Sequence, residues 1–70
     1  MPIVSIKMAR GRTVDQKRKA VRAITDAVVS TLDMKPEWVS VLIEEFDREN
    51  WSTKGELHID TFGAGHGKKI

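Results

Sequence analysis

The sequence predicts a small α/β (α+β) fold: one βαβ unit with two parallel strands, a single long helix between them, and a short C-terminal strand or hairpin. Three observations predict it. Two apolar segments, 2–8 and 39–46, have strand composition. About thirty residues separate them and carry one amphipathic helical pattern, which is the spacing of a right-handed crossover between parallel strands. The chain has 70 residues and no cysteine, too little for such a unit to be stable alone, so the fold is expected as an oligomer.

The first strand is Pro2-Ile3-Val4-Ser5-Ile6-Lys7-Met8. Ile3, Val4, Ile6 and Met8 put apolar groups on both faces, so burial on both sides is expected. Arg10-Gly11-Arg12 is a turn. Thr13-Val14-Asp15-Gln16 has the pattern of a capping box, in which Thr13 caps the backbone and Gln16 reaches back. The helix then runs from Val14 to Leu32. Val21, Ile24, Val28 and Leu32 form its apolar stripe, and Ala20, Ala23 and Ala27 allow close approach. Asp33-Met34-Lys35-Pro36 ends it, because a residue before proline avoids helical geometry. Trp38 reads as a packing residue.

Val39 to Phe46 is the second strand; Glu44 and Glu45 point to opposite faces and form no acid–base pair. Asp47 to Gly55 is a polar loop containing Trp51. Leu57 and Ile59 alternate with His58 and Asp60, which predicts a third strand over 56–62 with His58 on its surface. The domain spans residues 1–62. Residues 63–70 are a glycine- and lysine-rich tail; it is no phosphate loop, since the spacing is wrong and no helix follows. One helix cannot cover both faces of the sheet. The uncovered face is expected to meet a copy of the same chain.

Composition excludes several functions. Without cysteine there are no disulfides or thiolate metal sites, and two histidines do not make a zinc site. Twelve Lys and Arg against ten Asp and Glu leave a net charge of +2, too balanced to argue for nucleic acid. Lys17-Arg18-Lys19 and Arg22 lack interleaved aromatics for base stacking and read as a solvated helix face, with Asp15 and Lys19 paired one turn apart. No apolar run approaches the roughly 20 residues of a membrane span, and Lys7 and Arg10 interrupt the first apolar stretch too early for a signal peptide. A cytoplasmic protein that uses neither membrane nor nucleic acid is expected.

The residue with most chemical potential is Pro2. Methionine before a small residue is commonly removed, which leaves proline as the amino terminus. Its nitrogen is then a secondary amine without amide resonance, a base that needs no cofactor. An α-amino group has a pKa of about 8, and desolvation or a nearby cation lowers it toward working pH. A positioned general base contributes about 10²–10⁴-fold in rate. With Met1 retained, Pro2 is an ordinary strand start, and the chain reads as a non-catalytic oligomeric binding module.

Pro2-Ile3, Ile6, Gly11-Arg12-Thr13, Asp15-Gln16-Lys17, Leu32-Asp33, the strand Val39 to Glu45, and Trp51 with Gly55 together resemble the 4-oxalocrotonate tautomerase family. The resemblance runs without a gap from Pro2 to about Leu57. It implies a βαβ protomer assembled as a dimer or as a hexamer, a trimer of dimers. It implies a cofactor-independent tautomerase or isomerase, in which Pro2 is the general base that moves a proton in an enol or dienol 2-oxo acid. Arg12 matches an arginine that holds a substrate carboxylate, by charge-assisted and potentially bidentate hydrogen bonds. Trp51 matches an aromatic residue, usually phenylalanine, that lines the apolar part of the pocket. The founding members carry a second arginine where this chain has Ser40. Serine brings no charge, so the substrate is smaller or another cation substitutes; Lys7, Arg10 and Arg48 are the cations nearby in sequence. Hydration, dehalogenation or decarboxylation of small unsaturated acids by the same amine is the alternative chemistry.

Overall fold

The computed structural model describes residues 1–63; most of the glycine- and lysine-rich tail lies outside the described residues. The element order is β1 (Ile3–Ala9), α1 (Val14–Leu32), β2 (Ser40–Phe46), β3 (Ser52–Thr53), β4 (Glu56–Leu57) and α2 (His58–Phe62), with 3-10 turns at Pro36–Trp38 and Arg48–Asn50. β1 and β2 pair in one two-stranded sheet, and β3 and β4 in another. β1 and β2 are parallel: the Ser40 N–H donates to the Pro2 carbonyl at one end (3.1 Å) and the Arg10 N–H to the Phe46 carbonyl at the other (2.9 Å). The described residues form two compact units, Met1–Ile6 with Thr13–Ile43, and Lys7–Arg12 with residues 44–63.

In the first unit, α1 starts at the predicted capping box. The Gln16 N–H donates to the Thr13 hydroxyl (3.1 Å) and the Thr13 N–H to the Gln16 side chain (2.9 Å). Lys17, Val21, Ile24, Thr25, Val28 and Val29 are half-buried along one helix face, the spacing of a helix laid on a sheet. Asp15 and Lys19 pair at 3.3 Å, both well exposed, so the pair adds little. The helix ends before proline can act on it. Asp33 adopts the left-handed conformation (φ 52°) and its N–H returns to the Val29 carbonyl, a local stop of the kind that short polar side chains tolerate. Pro36 instead opens the 3-10 turn. Val39 is the cap of that turn, its N–H donating to the Pro36 carbonyl (3.1 Å), so β2 begins one residue later than expected.

In the single chain, β1 alternates between exposed and half-buried residues from Ile3 to Met8, so one of the two faces expected to be buried is left open. Val4, Ile6, Val41 and Ile43 share the half-buried face, while Ile3 (67% exposed) and Leu42 (54%) lie on the open face of the same pair. Trp38, expected as a packing residue, is 45% exposed in the single chain, with the Lys35 ammonium 5.7 Å from its ring centre. Among the described residues no hydrophobic side chain is buried, and Arg48, at 3% exposure, is the buried residue.

In the second unit, the segment expected as a strand over 56–62 is a two-residue strand followed by a helical turn, α2. Four alternating residues are too few to fix a strand, and Ile59 and Phe62, three apart, suit a helical face equally. The β3–β4 hairpin pairs Ser52 with Leu57 and Thr53 with Glu56. Lys54 (φ 57°) and Gly55 (φ 79°) form its two-residue turn; positive φ at both positions is the type I′ geometry that matches strand twist.

Candidate active site

Pro2 is half-buried at the head of β1 and is anchored through its carbonyl to the backbone of Ser40. Met1 is 90% exposed, so its loss removes no packing. While Met1 is attached, the proline nitrogen is an amide and its lone pair is delocalised. The fold thus brings Pro2 and Ser40 together by a main-chain bond, with the Ser40 side chain exposed on the first residue of β2.

Arg12 closes the turn between β1 and α1. Gly11, at φ 130°, supplies a conformation that L side chains rarely adopt, and Thr13 behind it is locked by the capping box. Arg12 is exposed and held between these two fixed residues. A cation at this end of a helix gains nothing from the macrodipole, which is positive there.

Trp51 belongs to a run of rings in the second unit. It meets Phe46 edge-on (6.3 Å between centres, 72°) and lies nearly parallel to His58 (4.9 Å, 17°), which in turn meets Phe62 edge-on (5.2 Å, 84°). The His58 N–H of the main chain donates to the Trp51 carbonyl (2.7 Å), and the His58 Nε2 and Thr53 hydroxyl are 2.8 Å apart. His58 is thus a half-buried partner of Trp51 at the start of α2, not a strand surface residue. The signal that could have found it is the Lys54-Gly55 turn: a two-residue hairpin there folds residue 58 back onto residue 51. Lys7, Phe46, Asn50 and Trp51 line a cavity of about 250 Å³.

Two nearby cations have defined partners. The Arg10 Nε donates to the Asp47 carboxylate at 2.8 Å. The Arg48 Nη1 donates to the carbonyls of Phe62 (3.0 Å) and Gly63 (2.9 Å), capping the C-terminal end of α2, whose last carbonyls lack helical partners. This ties the 3-10 turn before Trp51 to the helix that carries His58. Nothing in the sequence near Arg48 announces that role. Among the described residues no group of three His, Asp or Glu side chains is placed to hold a metal ion, and no helix is long and apolar enough to cross a membrane.

A parallel βαβ chain with a proline heading its first strand and an arginine before its helix has the layout of a small tautomerase, and residues 2–61 match the tautomerase enzyme family. The chain is 39% identical over 60 residues to the 2-hydroxymuconate tautomerase of Bacillus subtilis, covering 86% of this chain and 97% of that one. It is 38% identical over 60 residues to a probable tautomerase of Halalkalibacterium halodurans, covering 86% and 98%. A solved structure from work on the 4-oxalocrotonate tautomerase isozymes of Methylibium petroleiphilum superposes with a TM-score of 0.85 at 45% identity, covering 91% of this chain and all of that one. The chain belongs to the 4-oxalocrotonate tautomerase family of the tautomerase superfamily. As such it is an isomerase of the tautomerase type, acting on a small molecule.

Proposed function

We propose that this protein, with Met1 removed, tautomerises enol or dienol 2-oxo acids with the Pro2 amine as general base and without a cofactor. The observation that carries this reading is the family match over residues 2–61 together with a half-buried Pro2 held by its carbonyl behind an exposed Met1. The Pro2 nitrogen takes the proton of the 2-hydroxyl group. The C2–O bond becomes a carbonyl, the electron pair moves along the conjugated chain, and the proton returns from nitrogen to the distal carbon. The product is the conjugated 2-oxo acid, and the amine is regenerated. Arg12 binds a substrate carboxylate, and Trp51 provides the apolar wall.

The test is an ultraviolet assay of the processed protein on 2-hydroxymuconate and phenylenolpyruvate. Conversion of at least one of them to its keto form supports the reading; inert behaviour toward both rejects it. Ser40 is expected to limit turnover of dicarboxylates, because it offers a hydroxyl where the founding members have a guanidinium. Ser40 is exposed at the head of β2 in the single chain, so Ser40→Arg should leave the protomer's own packing intact. It should raise kcat/KM on 2-hydroxymuconate more than on phenylenolpyruvate. An equal change on both, or a selective fall on the dicarboxylate, would show that residue 40 does not face the substrate.

The active form is an oligomer, a hexamer or a dimer. The support is energetic: the single chain buries no hydrophobic side chain among the described residues, and Ile3 and Leu42 stand open on one sheet face. Fully covering such a side chain is worth about 1.5–3 kcal/mol, a large share of the stability of a small domain. Sedimentation at micromolar concentration should give an assembled species. Ile3→Glu should dissociate and unfold it together, since no hydrophobic side chain among the described residues is buried within the protomer. A folded monomer in either measurement would reject the oligomer.

A further inference from the structure

We propose that Lys7 is a second anion-binding group of the substrate site and selects acids carrying a carboxylate at their far, apolar end. This rests on the reading that Trp51 lines that site. The cavity of about 250 Å³ beside Trp51 is walled by the rings of Phe46 and Trp51, with Lys7 and Asn50 as its polar members. Its size falls just below the roughly 300–1,000 Å³ of pockets for drug-sized ligands, which suits a small acid. Two aromatic walls with one ammonium match a hydrocarbon segment ending in an anion.

Other described cations of the same unit have different positions, Arg12 in the turn before α1 among them. Arg10 is paired with Asp47, Arg48 is buried on the carbonyls of Phe62 and Gly63, and Lys54 lies in the hairpin turn, lining a separate concavity with Glu56 and His58. Lys7 sits mid-strand in β1 on the exposed face. Its stem can lie along the rings while the ammonium meets the ligand. An ammonium–carboxylate hydrogen bond flanked by apolar walls is stronger than one in open water. Asn50 adds an amide donor for a second oxygen.

The test uses the assembled, processed protein and two variants, Lys7→Met and Lys7→Arg. Lys7→Met keeps the apolar stem and removes the charge. It should lower kcat/KM on 2-hydroxymuconate by about tenfold or more, chiefly through KM, while phenylenolpyruvate changes by less than about twofold. Lys7→Arg should recover most of the loss. A binding measurement separates this proposal from the catalytic one. Adipate, a saturated and unreactive dicarboxylate, and hexanoate are titrated while the Trp51 indole N–H resonance is followed. Wild type should prefer adipate by about tenfold, and Lys7→Met should remove the preference. If neither enol acid is turned over by wild type but adipate is still preferred through Lys7, the anion site stands and the tautomerase reading falls. Equal losses on both enol acids, or an adipate preference that survives in Lys7→Met, overturn the anion site.

Discussion

Retention of Met1 is expected to lower kcat/KM on 2-hydroxymuconate by about two to four decades, the usual contribution of a positioned general base. The comparison needs two chains that differ only at the terminus, and 70 residues is within reach of chemical synthesis. In one chain Pro2 is a secondary amine; in the other it is the nitrogen of a peptide bond, with its lone pair delocalised. Met1 is 90% exposed and Pro2 is held through its carbonyl, not its nitrogen. The two chains should therefore give the same circular dichroism and the same assembly, so that a difference in rate reports on basicity. Pro2→Ala, processed to a primary amine at nearly the same place, should fall between them. Equal rates for the two synthetic chains would mean that the proton is moved by another group, and His58, stacked on Trp51, would be the next to test.

The helix was fully legible in the sequence. Thr13 and Gln16 mark its start through local hydrogen bonds, and the stripe of Val21, Ile24 and Val28 marks its face. Both signals are short-range, so the sequence carries them openly. The strand pair was legible for the same reason, apart from its ends: β1 runs Ile3–Ala9 rather than 2–8, and the 3-10 turn captures Val39. The exposure of Ile3 and Leu42 was less so. A run of apolar residues states that a strand will be covered on both sides, but not by which molecule. Residues 56–62 were misread because the deciding contacts are not local: Trp51 reaches His58 across a tight turn, and Arg48 reaches the carbonyls of Phe62 and Gly63 fourteen and fifteen residues away.

The candidate site divides along the same line. Pro2, Arg12 and Trp51 stand out as residue types at telling positions, because a proline directly after Met1, a cation before a helix and an aromatic in a polar loop each break a local rule. What surrounds them does not stand out. Lys7 is an ordinary strand lysine until Asn50 and Trp51 are folded beside it, and His58 is an ordinary surface histidine until the Lys54-Gly55 turn places its ring under the indole. Local chemistry marks the candidate groups, and only tertiary contacts show which side chains surround them.

Arg12→Ala is expected to cost about 1.5–3 kcal/mol in transition-state binding, the range for a hydrogen bond to a charged group. That is about one to two decades in kcat/KM. Because a carboxylate distant from the migrating proton is held equally before and during the transfer, most of the loss should appear in KM. The variant should keep its fold. Thr13 and Gln16, which start α1, remain in place, as does Gly11, whose φ of 130° makes the turn. Arg12→Lys separates charge from geometry: it retains the point charge but not the planar fork. If Arg12 grips the carboxylate with two parallel bonds, lysine should recover only part of the loss, on both 2-hydroxymuconate and phenylenolpyruvate. A fall confined to kcat in Arg12→Ala would place the guanidinium at the reacting carbons instead. No change on either acid would remove Arg12 from the site and leave Lys7 as its carboxylate-binding cation.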